Sequence, residues 1–163
     1  MNTKSSDFLE IERKFLVEEL PVLADAIRVS ISQGYLTETE DSVELRLRRA
    51  DDARILTLKS GWGMTRKERN VALEPAQFDL LWPETEGRRL QKDRWIGPLP
   101  GGLRFELDIY HGALAPLRVV EVEFASEQEA RRFVPPAWFG AEVTDDARYG
   151  NRVLVTAGLP EGE

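Results

Sequence analysis

Leu103-Arg104-Phe105-Glu106-Leu107-Asp108-Ile109 and Val120-Glu121-Val122-Glu123-Phe124 decide the fold. A strand sends successive side chains to opposite faces. Arg104, Glu106 and Asp108 therefore share one face, backed by Leu103, Phe105, Leu107 and Ile109. Glu121 and Glu123 likewise share a face, backed by Val120, Val122 and Phe124. The pattern recurs upstream. Glu10, Glu12 and Lys14 oppose Ile11 and Phe15. Arg46 and Arg48 oppose Val43, Leu45 and Leu47. Lys59 follows Thr57 opposite Leu56 and Leu58, and Arg66 pairs with Glu68.

Strand-like runs cover residues 11–17, 30–36, 43–49, 55–59, 66–73, 94–96, 103–110 and 118–124. Turn chemistry separates several of them: Asp51-Asp52, Gly61-Trp62-Gly63, Pro98 with Pro100-Gly101-Gly102, and His111-Gly112. Pro75 ahead of Ala76, Phe78, Leu80 and Leu81 predicts a short helix with proline in its first turn. Ser126 with Glu129 forms a capping-box pattern before Ala130 and Phe133. Thr144 and Asp145 are expected to begin a last helix through Tyr149 and Val153, and residues 21–27 are a weaker helix candidate. The reading is mainly β, of α+β type: one domain over residues 1–163, an antiparallel barrel closed or nearly closed, with a few helices packed outside.

Alternating charge usually marks the solvated face of an amphipathic sheet. Two details point inward instead. These faces are almost purely ionic, and the signs segregate by strand: Glu10/Glu12 and Glu121/Glu123 are acidic pairs, whereas Arg46/Arg48 is basic. Paired carboxylates suit a hard divalent cation, which takes oxygen ligands. Paired guanidiniums suit phosphate oxygens, which they grip bidentately. With the charged faces inward, the barrel is a tunnel holding both halves of a metal–polyphosphate site.

Composition narrows the alternatives. A net charge of -7, from 22 basic and 29 acidic side chains, argues against nonspecific nucleic-acid binding. The chain has no cysteine and one histidine, which excludes thiolate nucleophiles, disulfides and multi-histidine metal sites. No N-terminal apolar stretch reads as a signal peptide and no segment is apolar enough to span a membrane, so a cytoplasmic location is expected. Gly61-Trp62-Gly63 lacks the Lys-Ser/Thr of a phosphate-binding loop. His111 is expected to be structural or solvent-facing. Trp62, Trp82, Trp95 and Trp138 are expected in the core or at the rim, with no stacking pattern for bases.

The ordered motifs resemble the CYTH proteins, or triphosphate tunnel metalloenzymes. Glu10-Ile11-Glu12-Arg13-Lys14 matches that family's E-x-E-x-K signature. The likeness continues through Gln33-Gly34-Tyr35-Leu36, Arg46-Leu47-Arg48, Thr57-Leu58-Lys59, Arg66-Lys67-Glu68, Asp93-Arg94, Glu106-Leu107-Asp108 and Glu121-Val122-Glu123. It ends on Glu142-Val143-Thr144 and Arg148-Tyr149-Gly150-Asn151. The resemblance implies an antiparallel tunnel of roughly eight strands. It further implies Mg²⁺ or Mn²⁺ on Glu10, Glu12, Glu106, Asp108, Glu121 and Glu123. The implied phosphate cradle is Lys14, Arg46, Arg48, Lys59, Arg66, Arg94 and Arg104, with Arg148 of the last helix closing one mouth. Lys59, Tyr35 and Glu12 are the implied catalytic residues, Tyr35 pairing with Lys59. A homodimer is the family's suggestion. One departure is Asn70, where many relatives carry Glu.

The expected reaction is metal-dependent hydrolysis of inorganic triphosphate to diphosphate and phosphate, with no covalent intermediate, since phosphoryl transfer asks mainly for positioning and electrostatics. Thiamine triphosphate hydrolysis and the class IV adenylyl cyclase reaction are the alternatives in the same tunnel. A non-catalytic polyphosphate or nucleotide sensor and an apolar-ligand barrel carrier are the alternatives of other classes. The carrier requires the charged faces to point outward.

Overall fold

The computed structural model describes residues 9–161. Its eight strands are β1 (Leu9–Leu16), β2 (Ile27–Tyr35), β3 (Glu44–Ala50), β4 (Ala53–Ser60), β5 (Thr65–Ala72), β6 (Arg89–Pro98), β7 (Arg104–Tyr110) and β8 (Arg118–Glu123). They close in the order β1-β5-β4-β3-β2-β6-β7-β8, every neighbouring pair antiparallel. Closure leaves no unpaired sheet edge. No helix among the described residues is long and apolar enough to cross a membrane.

Register fixes which side chains face inward, because directly paired residues share a face. Glu10 lies opposite Arg66, Glu12 opposite Glu123, and Lys14 opposite Glu121. Continuing around the wall, Glu121 meets Glu106, Asp108 meets Arg94, Gln33 meets Arg48, Arg46 meets Thr57, and Lys59 meets Glu68. The ring is self-consistent, so all the charged faces turn to one interior. That outcome rules out the apolar carrier.

The opposite faces form the packed layer. Phe15, Phe105, Leu107, Val120, Val122 and Phe124 are buried with Val17, Ala130 and Phe139 under α2 (Glu127–Arg132) and residues 133–139. Leu47 is fully buried, while Leu45 and Leu58 are half-buried on the side where α1 (Pro75–Leu81) lies against β4. At Gly34 a Cβ would sit 2.5 Å from Thr85 Oγ1, so only glycine lets the 82–85 turn press onto β2. Arg13, on the outer face of β1, donates to both oxygens of Glu142 and to the carbonyls of Ala130 and Phe133. It thereby anchors the end of α2 and the 140–144 segment to β1.

One end of the barrel is sealed on its β6–β8 side. There Leu90, Tyr110 and Val119 turn inward onto Leu114 and Leu154, the last carried by α3 (Asn151–Ala157). Tyr110 also donates a hydrogen bond to the Asn151 side chain.

Local expectations fare unevenly. Ser126 accepts from the Glu129 amide as a helix cap, and Pro75 opens α1. Residues 21–27 are not helical: a turn leads straight into β2 at Ile27. The last helix begins at Asn151, later than expected, because Asp146 and Gly150 bracket a separate 3-10 turn, Ala147–Tyr149. β6 is much longer than residues 94–96.

Candidate active site

The interior divides into an acidic and a basic wall. Glu10, Glu12 and Glu123 bring one carboxylate oxygen each within 4.8 Å of the others. They come from β1 and β8, neighbours held in register by five residue pairs. Burial, then the charges of Glu121 and Glu10, push the Glu12 carboxyl well above the usual range. Burial, then Glu106 and Glu10, push Glu123 up to about 7. The cluster therefore carries more negative charge than its surroundings neutralise, and its hard oxygen donors fit a divalent cation.

Glu10 and Glu121 behave differently because each has a cation. Burial alone would raise Glu10, but Lys59, with Nζ 3.2 Å from Oε1, and a hydrogen bond with Glu12 together hold it below its usual value. Glu121 is held well below the usual range despite burial by Lys14, Arg94 and Lys92, and Lys14 Nζ lies 3.6 Å from it.

Asp108 and Glu106, expected among the metal ligands, are committed elsewhere. Asp108 is fully buried; Lys92 donates to one oxygen at 2.7 Å, and Arg94 spans both at 2.7 and 2.9 Å. Glu106 pairs with the same arginine at 2.8 Å. Together they fix the Arg94 guanidinium in place.

The basic wall is built around Arg46, Arg48, Lys59 and Arg66. Arg48 donates to Gln33 Oε1 at 3.2 and 3.0 Å. Burial, then Arg46 and Arg94, draw it down to about 9, the mark of cations crowded without enough counter-charge. Arg46 donates to Thr57 Oγ1 at 3.3 Å, and the Thr57 hydroxyl donates to Asn70 Oδ1 at 2.6 Å. Asn70, exposed on β5, thus accepts from Thr57 and donates to Glu68 Oε1 at 3.4 Å. Arg46 Nε and Arg66 Nε are buried without a hydrogen-bond acceptor. Buried donors are rarely left so, and two on the inward faces of one barrel suit an anionic ligand.

Tyr35 and Lys59 have separate partners. The Tyr35 hydroxyl accepts from Gln33 Nε2 at 2.9 Å, whereas Lys59 is with Glu10. The expected pairing of the two is not formed. Burial, then the Glu44 charge, hold the phenol well above its ordinary range, so it acts as a neutral hydroxyl.

Arg104 and Arg148 lie at opposite ends of the barrel. Arg104 is exposed at the far rim, beside Glu106 and Glu123. Arg148 lies in the 3-10 turn, about half exposed, with its guanidinium on Asp146 at 2.7 Å. An arginine that lines the mouth is Arg152, four residues further on and the second residue of α3. It joins Lys14, Glu12, Glu44 and Arg66 around a cavity of about 150 Å³ between α3 and the 61–63 loop.

Lys92, Glu44 and Arg152 escape the sequence reading. Lys92 is missed because β6 is read too short. Glu44 lies two residues before Arg46, so period-2 alternation alone places it inside. His111 is exposed, 3.1 Å from Asp93; Trp62 is exposed at the mouth, and Trp95 and Trp138 pack in the outer core.

Known proteins share this sequence and shape. An inorganic triphosphatase from Nitrosomonas europaea is 52% identical over 145 residues, 89% of this chain and 95% of the relative. One from Acetivibrio thermocellus is 31% identical over 148 residues, 90% of this chain and 92% of the relative. A crystal structure of an inorganic triphosphatase, 50% identical, superimposes with a TM-score of 0.69 over 90% of this chain and 94% of that one. No family model matches the chain. At such identity over nearly the full length of both partners, the chain belongs to the family of these inorganic triphosphatases.

Proposed function

We propose that the protein hydrolyses inorganic triphosphate to diphosphate and phosphate inside the barrel, as a CYTH-type enzyme dependent on Mg²⁺ or Mn²⁺. The observation that carries this reading is the pair of buried, acceptorless donors, Arg46 Nε and Arg66 Nε, on the inward faces of a barrel that also carries the Glu10, Glu12 and Glu123 carboxylate cluster. Glu10, Glu12 and Glu123 would hold the cation. When bound, the cation supplies charge neutralisation at the phosphate oxygens and a means of activating water.

The chain's own residues do the rest. Arg46, Arg48, Arg66 and Lys14 bind and align the triphosphate and offset charge that builds on the departing diphosphate. Arg94, locked by Asp108 and Glu106, needs no reorganisation to contribute. Lys59, ion-paired with Glu10 at 3.2 Å on the inward face of β4, would stand between cation and phosphate. The phenol of Tyr35, next to Arg46 and Arg48, orients substrate oxygens as a neutral donor. The cavity, at about 150 Å³, is below the ~300–1,000 Å³ of ordinary ligand pockets and suits a compact inorganic anion better than a nucleoside or thiamine ester.

Separate incubations with tripolyphosphate, ATP and thiamine triphosphate, with Mg²⁺ and products identified, test the reading. Phosphate release should be fastest from tripolyphosphate, vanish on chelation and return with Mg²⁺ or Mn²⁺. Full turnover in excess chelator overturns the metal assignment. Failure to cleave tripolyphosphate overturns the function.

The carboxylate cluster also predicts a pH signature of the cation-free protein. Glu12 and Glu123 release their protons at higher pH when folded than the ordinary carboxyl near 4.5. Between about 4.5 and 7 the folded state holds protons that the unfolded chain has lost, so stability falls as pH rises through that window. Glu10 and Glu121, shifted the other way, act below it. In chelator, Tm should therefore decline from pH 5 to pH 7, and saturating Mg²⁺ should remove the decline. An identical decline with and without Mg²⁺ contradicts the placement of the cation.

A further inference from the structure

We propose that Glu44 sets the length of phosphate chain the site accepts, acting as a charge stop at the mouth beside α3. The inference rests on the reading that the barrel takes a triphosphate. Glu44 opens β3, faces inward and is 7% exposed, directly opposite Lys59. It stands on the basic wall, two residues from Arg46, and outside the Glu10/Glu12/Glu123 cluster.

Its ion pairs are long. Arg66 Nη2 and Arg152 Nε both lie 3.8 Å from Oε1, beyond hydrogen-bond distance. Arg152 is tied instead to the carbonyls of Val43 at 2.9 Å and Asp41 at 3.4 Å. Glu44 thus steadies two arginines electrostatically while its own charge still faces the cavity.

A chain longer than a triphosphate has few ways out. The β6–β8 side of this end is closed by Leu90, Tyr110, Leu114, Val119 and Leu154. The far rim presents Glu106 and Glu123. The opening between α3 and the 61–63 loop passes Glu44, so a fourth phosphate directed there lodges its negative charge against a buried carboxylate. Like charges a few ångströms apart in a partly desolvated site repel by enough to change affinity on the order of tenfold. A triphosphate seated between Lys14, Arg46 and Arg66 meets less of that repulsion, because the Arg66 guanidinium lies 3.8 Å from Glu44 and offsets its charge.

The test is the ratio of kcat/KM for tetrapolyphosphate to that for tripolyphosphate, at saturating Mg²⁺. Loss of folded protein lowers both terms alike, so the ratio isolates selectivity. Glu44→Gln should raise it about tenfold, and Glu44→Asp, which keeps the charge, should stay near the wild-type ratio. Arg152→Gln removes a counter-charge from Glu44 and should move the ratio the opposite way. A Glu44→Gln ratio within twofold of wild type, with tripolyphosphate still cleaved, overturns the charge stop alone. Wild-type protein inert toward tripolyphosphate overturns the functional reading and this inference with it.

Discussion

Glu12→Gln is expected to lower turnover at low Mg²⁺ by on the order of 10²-fold or more, the scale of losing one electrostatic stabiliser in an active site. Glu12 is 9% exposed, and its oxygen sits with those of Glu10 and Glu123. Glutamine keeps the shape and removes one of three negative charges, so excess Mg²⁺ should rescue the variant only in part. In chelator, at pH above the ordinary carboxyl range, the same substitution should raise Tm, because there Glu12 must either keep a proton the unfolded chain has lost or ionise against burial, Glu121 and Glu10. A variant that is more stable without metal and less active with it cannot be explained by misfolding. Arg48→Ala supplies the contrast. It removes a cation crowded by Arg46 and Arg94 and leaves the carboxylates intact, so kcat/KM should fall while half-saturating Mg²⁺ barely moves. Indistinguishable metal titrations for the two variants would falsify this division of labour.

The barrel was legible because period-2 alternation is a local property that closure preserves. Residues 103–109 and 120–124 each declare two faces, and pairing register then forces every ionic face to the same side. Which charges serve a ligand is not local. Asp108 looks like Glu106 and Glu121 in sequence, but its cross-strand partner is Arg94, and Lys92 lies one interior position further along β6. That pairing depends on the register between β6 and β7, which no window of sequence contains. Arg152 was missed for a related reason. Asp146 and Gly150 end the 3-10 turn before α3 begins, and the helix phase that aims Arg152 at Glu44 starts only at Asn151. Lys92 was hidden by composition: Gln91-Lys92-Asp93-Arg94 reads as a polar loop until both faces of β6 are seen to be occupied.

Asp108→Asn should destabilise the fold by about 3–5 kcal/mol, the cost of breaking a buried ion pair from one side. Asparagine leaves Lys92 and Arg94 in place, both facing a wall that also carries Arg48. For a chain of this size, ~2–4 °C of Tm is lost per kcal/mol, so a fall of roughly 10 °C is expected. The pH dependence identifies the cause. Burial, aided by Arg94 and Arg48, already draws Lys92 down to about 7 with Asp108 present. Removing the carboxylate draws it lower still, so the folded variant prefers a neutral lysine while the unfolded chain keeps its proton to near 10.5. Stability must then rise with pH above the folded value, and the gap between variant and wild type should narrow from pH 6 to pH 9. Lys92→Met in the same background should recover part of the loss at pH 6, since it removes one of the uncompensated charges. An Asp108→Asn protein with wild-type Tm and a weakened Mg²⁺ titration would put Asp108 back on the cation and displace it from the anchoring of Arg94.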